Sequence, residues 1–460
     1  MQQVRTRINW PLEGEPYDVQ LEAIKKANGH RGFGFFMEMG LGKTATAYAE
    51  FLILFSMNKV NSMIIICPQS LKKNWEVEAK KWGVDTPVTI WPNKISTKDN
   101  FILTMNYEAL IGKGGEYLDS IMDYKIIYMV LDESIHVKNP RAKRTKRLIN
   151  ICKMAEYVRL MSGAPIVQSP LDLWGQMRCI GELVGYNPFA FRNHFCIMGG
   201  YMNRQITGTR NEEELVKLID LNAFRAKKID WADLPETLFT ARDYEMEKGQ
   251  FKCYEKMRKE LVLQVKDEVI AAPMVITQMM KLQQISSGFI IDEQGDINDL
   301  VDFEKNPKLK LAKEIVEELD TKVIIFAFYK RSIANLLKLF PKGAFLIGEQ
   351  NIESQEQEKR YFNDGSAKVV IAQLTAGKYG HNLLGTQDYP CHTTIFYENT
   401  YNLDARIQAE ARNHRYGQHY PVTYIDLIGT NLDRKVVCAL QKKQKMANAI
   451  IDAVRTGGQK

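Results

Sequence analysis

The chain has 460 residues, 45% of them hydrophobic and 25% charged, with a formal net charge of +7. That balance is typical of a water-soluble globular protein long enough for several domains of roughly 100–200 residues each. The modest positive charge permits a polyanionic partner without demonstrating one. No apolar run reaches the ~20 residues that a membrane span needs. The opening "MQQVRTRINWPLEGEPYDVQ" has basic residues but no apolar stretch of the kind a secretory signal requires, so the expectation is a cytoplasmic chain. Seven cysteines are scattered without a C-x-x-C pair, which argues against a disulfide framework and a zinc ribbon. The adjacent Cys391 and His392 read as a loop entering a strand.

In chain order, "GFGFFMEM", "SMIIICP", "PVTIWP", "FILTMNY", "KIIYMVLDE" and "YVRLMSGAP" read as strands, most of them followed by amphipathic stretches such as "LKKNWEVEAKKW". Near-continuous apolar strands alternating with helices predict a parallel sheet covered on both faces. Residues 175–300 read mostly as helix, with "NEEELVKLIDLNAF" and "EKGQFKCYEKMRKELVLQVKDEVI" the most periodic, and "DLPETL" as an extended connector. The strand pattern then returns in "KVIIFAFY", "GAFLIG", "KVVIAQL", "TTIFYEN" and "VTYIDLIG", separated by "RSIANLLKLF", "SQEQEKRYFN" and "LDARIQAEARNHR". The expected organisation is an α/β lobe over 1–235 with a helical protrusion from about 175, a linker and helical protrusion over 236–300, and a second α/β lobe over 301–460. A last helix is expected at about 432–455, with no accessory domain after it.

Three groups of residues carry chemistry. In "MEMGLGKTATA", Gly40 and Gly42 permit a tight turn whose N–H groups point at phosphate oxygens. Lys43 supplies a charge for the β/γ-phosphates, and Thr44 opens a helix with a hydroxyl suited to Mg²⁺. Met37 stands where the strict phosphate-loop pattern has glycine, so the loop is a variant. Next, "KIIYMVLDES" ends a strand on Asp132 and Glu133, at the edge where parallel sheets bind ligands. Asp132 suits the same Mg²⁺, and Glu133 suits activation of a water, as a hydrolase needs. Finally, "QAEARNHRYGQ" spaces Gln408, Arg412 and Arg415 so that a helix would place them on one face, with two guanidinium groups to meet a γ-phosphate. They fall in the other lobe from Lys43, so hydrolysis is expected to depend on lobe closure.

With these residues in place, the chain resembles the Snf2-like branch of helicase superfamily 2, from about Tyr17 to Ile428. "PYDVQLEAI" resembles the Q-motif, with Gln20 as adenine reader. "MEMGLGKT" is similar to motif I, "IIICPQSLKKNWEVEAKKW" to motif Ia and "TMNYEAL" to motif Ib. "VLDESIHVKNP" resembles motif II and "LMSGAPIVQSPLDLW" motif III. "FRAKKIDWADLP" resembles the basic helix before the linker. "AQLTAGKYGHNL" resembles motif V, and "YNLDARIQAEARNHRYGQ" motif VI. Some positions depart from the family. Ile135 replaces the histidine that links the ATP site to motif III. Ser162 and Ala164 replace two threonines of motif III. Lys378, Tyr379 and His381 replace small or apolar residues of motif V, and Leu403 replaces a proline.

The resemblance implies two RecA-like parallel-sheet lobes with Snf2-type helical insertions between them. It implies ATP and Mg²⁺ as cofactors, coupling through Ser162, Gly163 and Gln408, and DNA-dependent ATP hydrolysis with translocation along duplex DNA. The chain is most similar to minimal phage or bacterial members, or to the annealing-helicase type, without chromatin-reading domains. Its compartment would be the bacterial or phage-infected cytoplasm, or the nucleus in a eukaryote. Five of the seven residues from Arg141 to Arg147 are basic, which suits contact with a phosphate backbone. Lys138, Asn139, Arg141, Arg144 and Arg147 are therefore DNA-contact candidates, with Ser70 and Lys72 in motif Ia and Thr375 and Asn382 in motif V. The same residues are also compatible with a strand-separating or annealing helicase on DNA or RNA. An ATP-switched, non-catalytic DNA clamp is the reading of another class, and Glu133, Arg412 and Arg415 argue against it.

Overall fold

The computed structural model describes residues 8–442, except 97, 124, 168, 184, 200–204, 232–233, 267–271, 293, 375–381 and 416. The chain divides into two compact units, with the division between Asp233 and Leu234.

The first unit is built on β1 (Gly32–Met37), β2 (Ser62–Cys67), β3 (Val88–Ile90), β4 (Ile102–Asn106), β5 (Ile127–Asp132) and β6 (Tyr157–Met161). Their side chains alternate between two cores. Ile64 and Ile66 of β2 join Met129 and Leu131 of β5 on one face. Met63, Ile65 and Cys67 join Tyr128 and Val130 on the other. Apolar residues at every position are what a strand covered on both faces requires. The helix Lys43–Ser56 covers one face through Ala47, Tyr48, Phe51 and Leu54. The helices Lys143–Cys152 and Asp172–Cys179 cover the other, through Leu148, Ile151, Leu173 and Met177.

The segment after residue 175 is less helical than its periodicity predicts. A hairpin of β7 (Cys196–Gly199) and β8 (Gln205–Thr209) interrupts it. The helix Glu212–Asn222 stops where β9 (Ala223–Ala226) begins. β9 pairs in parallel with β1 and completes a seven-stranded sheet of order β3-β4-β2-β5-β6-β1-β9. Four residues at a sheet edge carry too little pattern to separate from the helix before them.

The second unit opens with β10 (Thr237–Asp243), so most of "DLPETL" leads into or forms a strand instead of a free connector. The helices Lys248–Lys266 and Ala272–Ser286 follow, then a hairpin of β11 (Phe289–Ile291) and β12 (Ile297–Asp299). The sheet is completed by β13 (Lys322–Ala327), β14 (Ala344–Leu346), β15 (Val369–Gln373), β16 (Cys391–Phe396) and β17 (Val422–Ile428). Its six strands are all parallel, in the order β10-β17-β16-β13-β15-β14. The same two-faced alternation recurs, with Ile324 and Phe326 on one side and Val323 and Ile325 on the other. Both units are therefore α/β lobes on parallel sheets. Residues 431–442 are helical, and the rest of the expected last helix lies outside the described residues. Among the described residues, no helix is long and apolar enough to cross a membrane.

Candidate nucleotide site

In the first unit the glycine turn leaves β1 and opens the helix Lys43–Ser56. Gly40 (φ 91°) and Gly42 (φ 77°) both adopt left-handed backbone that favours glycine. A Cβ on Gly42 would also meet Gln20 Nε2 at 2.2 Å, so the cradle has no room for a side chain there. No side chain caps this helix and no acid lies in its first turn. Its N-terminal N–H groups and positive dipole end are therefore offered to an anion. The Lys43 ammonium curls back over the turn, donating to Met37 O at 2.8 Å and Glu38 O at 3.4 Å. Gln20 is fixed on both ends of its amide. Its Oε1 accepts from Tyr17 N–H at 2.8 Å, and its Nε2 donates to Gly42 O at 3.2 Å. Thr44 stands half-buried in the first turn of the same helix.

Asp132 and Glu133 stand at the carboxyl end of β5, and Ser162 and Gly163 directly follow β6. Strand order places β6 between β5 and β1. The Ser162–Gly163 turn therefore lies between the carboxylates and the glycine turn that follows β1. Asp132 is held on three sides. Its Oδ2 accepts from the buried Trp75 indole N–H at 3.0 Å, its Oδ1 from Glu133 N–H at 3.0 Å, and its backbone O from the Tyr107 hydroxyl at 2.8 Å. Burial pushes its carboxyl above the ordinary value, against the opposing effects of Trp75, Lys43 and the Glu133 amide. A buried carboxylate disfavoured in this way gains from a cation beside it, and Thr44 adds a neutral oxygen. Among the described residues no cluster of three or more His, Cys, Asp or Glu could hold a metal unaided. This donor set fits a Mg²⁺ that arrives with phosphates, which supply its remaining oxygens. Glu133 itself has φ 51° and ψ 55°. Left-handed backbone at a non-glycine residue stores strain of about 1–3 kcal/mol and marks sites where geometry is imposed.

The second unit corrects one expectation. The helix Leu403–Glu410 ends before Arg412, so Gln408, Arg412 and Arg415 do not share one helical face. The chain turns because its later groups have other partners. Arg412 O accepts from Leu383 N–H at 3.0 Å, and Asn413 Nδ2 donates to Thr394 Oγ1 at 3.0 Å. Arg412 is buried and Arg415 half-buried. Gln408 Nε2 donates to Asp404 Oδ1 at 3.1 Å within the helix. The helix is clamped by Arg406, which pairs with Asp426 at 2.6 Å and Glu410 at 2.6 Å and lies over the Phe396 ring.

The nucleic-acid candidates divide. Lys72 is only 7% exposed and donates to Trp91 O at 2.9 Å, so its ammonium is used within the fold and not offered at the surface. Arg144 pairs with Glu108 at 3.7 Å, and Arg147 pairs with Asp119 and donates to Gly115 O at 3.1 Å. Arg141, Lys143 and Lys146 are exposed, as are Asn139 and Asn382, while Ser70 and Lys138 are half-buried. Thr375, with Lys378, Tyr379 and His381, lies outside the described residues.

Sequence reasoning assigned no role to Trp75 or Tyr107, which fix Asp132, or to Gln176, which accepts from the Ser134 hydroxyl. Trp75 and Tyr107 lie inside quoted motifs, and a buried aromatic with an N–H or O–H to satisfy is the signal that points to them.

The SNF2-related domain family matches residues 23–288, more than half of the chain. The chain is 26% identical over 436 residues to "Uncharacterized ATP-dependent helicase MG018" of Mycoplasma genitalium, covering 89% of this chain and 39% of that protein. It is therefore much shorter than that relative. It is 24% identical to "Putative protein p41" of Acyrthosiphon pisum secondary endosymbiont phage 1, covering 94% of this chain and 95% of that one. A solved structure, "Sulfolobus solfataricus SWI2/SNF2 ATPase core in complex with dsDNA", aligns over 96% of this chain and 94% of that one, with a TM-score of 0.45 and 22% identity. By its family match, the chain belongs to the SNF2-related domain family.

Proposed function

We propose that the chain is a DNA-dependent ATPase that translocates along double-stranded DNA. The observation that carries the ATPase reading is the placement, on one sheet edge, of an uncapped helix N-terminus with Lys43 and a strained Glu133 beside a buried Asp132. Family membership supports ATP hydrolysis in general.

In this reading the amides of the Gly40–Gly42 turn and the Lys43 ammonium bind the β- and γ-phosphates. Gln20, next to the turn, reads the adenine. Mg²⁺, held by Thr44 and Asp132, would neutralise phosphate charge when bound. Glu133 orients a water and takes its proton as the water oxygen bonds to the γ-phosphorus. The bond to the β–γ bridging oxygen breaks, releasing ADP and phosphate. Arg412 and Arg415 are assigned to the charge that develops on the transferring group. The exposed Arg141, Lys143 and Lys146 support a sequence-independent contact to a nucleic-acid backbone.

The test is the steady-state ATPase rate without nucleic acid and with duplex DNA, single-stranded DNA or RNA at matched nucleotide concentration. The expected result is stimulation by the duplex, followed by displacement of a triplex-forming strand. Stimulation by single strands or RNA would favour a conventional helicase, and no stimulation would favour the ATP-switched clamp. Lys43→Ala is expected to abolish hydrolysis. Glu133→Gln is expected to lower kcat by about a hundredfold or more with nucleotide binding retained; an unchanged rate would remove Glu133 as the base.

A further inference from the structure

The residue after Glu133 ties this strained position to the rest of the site. Ser134 is fully buried, and its hydroxyl donates to Gln176 Oε1 at 2.7 Å. Gln176, equally buried, donates from Nε2 to Pro165 O at 2.7 Å and to Asp172 O at 2.9 Å. The amide can point only one way, because two carbonyl oxygens would repel its own oxygen. Ile135, next to Ser134, has no polar side-chain atom with which to make such a link.

Two further contacts show that the parts on either side of Gln176 are locked. A Cβ on Gly175 would meet Val137 O at 2.1 Å, so the helix Asp172–Cys179 lies directly against the turn that follows Glu133. At its other end, Asp172 Oδ2 accepts from Val167 N–H at 2.9 Å and Ser169 N–H at 3.4 Å. The same helix thus holds the turn after Glu133 and the loop after β6. That loop in turn reaches the phosphate cradle. A Cβ on Gly163 would stand 3.5 Å from Met39 N and 3.7 Å from Met37 O, the carbonyl that accepts from Lys43.

We propose that Gln176 is a positioning residue for ATP hydrolysis, tying Ser134, and through it the left-handed backbone of Glu133, to the 162–167 loop beside the phosphate cradle. Gln176 touches no reacting atom. It fixes the distance between the proton acceptor and the lysine by joining the two loops that carry or border them, since both of its ends are satisfied at once and neither is accessible to water. The inference rests on the ATPase reading above.

The test uses Ser134→Ala, Gln176→Leu and the double variant in the full chain. ATPase kinetics, affinity for a non-hydrolysable ATP analogue and thermal unfolding are measured together. Each single change is expected to lower kcat by roughly tenfold or more while KM and analogue affinity hold, because a displaced base loses its alignment without altering the phosphate cradle. The double variant is expected to be as slow as Gln176→Leu alone, neither slower nor recovered, since both changes cut one linkage. It should also unfold no earlier than that single variant, because the hydroxyl is no longer left without a partner. Ser134→Ala removes a single oxygen and keeps the test open should Gln176→Leu fail to fold. Wild-type kcat in folded Ser134→Ala would overturn the inference, as would kcat recovering in step with stability in the double variant. A wild-type chain without ATPase activity would instead overturn the site reading, and this inference with it.

Discussion

Asp132 is a buried carboxylate whose two oxygens are each engaged by an N–H donor, one from Trp75 and one from Glu133. Those bonds lower the cost of keeping a charge there and fix the plane of the carboxyl group. Trp75 is itself held in place, with its backbone carbonyl accepting from the Tyr48 hydroxyl at 2.8 Å and its ring meeting that of Tyr48 edge-on at 5.2 Å. Trp75→Phe keeps an aromatic ring in this core and deletes the N–H. We expect several-fold more Mg²⁺ to be needed for half-maximal ATPase activity, with a stability loss of about 1–3 kcal/mol from the unpaired oxygen and the small void. Magnesium titration of the purified variant checks this, and an unshifted titration would make Trp75 a core residue only. The glycine turn before the Lys43 helix and the paired acids at the end of β5 were legible in the sequence as local structure, because glycines at a strand-to-helix turn and carboxylates closing an apolar strand stand out from the pattern around them. The inward-facing bonds of Lys72 and Gln176 were not. Lysine and glutamine on an amphipathic helix look solvent-facing until a carbonyl or a hydroxyl from a distant segment is found above them.

At the scale of elements, the helix that carries Lys43 is bolted to the sheet beneath it by charge. Glu50, seven residues on from Lys43, pairs with Arg159 of β6 at 2.6 Å, and both are almost wholly buried. Tyr128 of β5 donates to the same carboxylate at 2.7 Å. Arg159 also donates to Arg31 O at 3.0 Å, immediately before β1. Breaking one partner of such a pair leaves a buried charge uncompensated, at a cost of about 3–5 kcal/mol. Glu50→Gln and Arg159→Met should each lower the unfolding free energy, measured by urea titration, by that amount. The triple variant Glu50→Leu, Arg159→Met, Tyr128→Phe should regain most of it, because no polar side chain of the trio is then left without a partner. A triple variant as unstable as the singles would show that the pair contributes net stability. The central strands were readable as elements because burial on both faces demands unbroken apolar runs. β9 and β10 lie at sheet edges, where one neighbour suffices and the pattern relaxes. "TLFTARD" mixes threonine, arginine and aspartate and is exposed along nearly its whole length. The turn after Glu410 was hidden for a different reason. "AEARNHR" continues a helical pattern, and only the bonds of Arg412 and Asn413 to Leu383 and Thr394 end the helix there.

For the whole molecule, the excess of seven positive charges matters through where it is exposed. The basic run after Lys138 is half committed to the fold. Arg144 and Arg147 face Glu108 and Asp119, while Arg141, Lys143 and Lys146 point to solvent with no ion pair to any described residue. A sequence count treats all five alike, although only unpaired cations release counterions from a phosphate backbone at full value. Changing Arg141, Lys143 and Lys146 to Gln should therefore weaken duplex binding and flatten the slope of log affinity against log salt by about 2–3, at roughly 0.9 for each phosphate no longer neutralised. Changing Arg144 and Arg147 to Gln should alter that slope far less. It should cost within about 1 kcal/mol of stability for the two partly exposed ion pairs. Fluorescence anisotropy on one duplex across a salt series, with a urea titration of each variant, separates the two sets. Equal slopes for both variants would mean that Arg144 and Arg147 leave their carboxylates to meet the backbone, and that the ion pairs hold these arginines in reserve. Slopes unchanged in both would remove the 138–147 segment from the proposed nucleic-acid contact and leave Ser70 and Asn382 as its candidates.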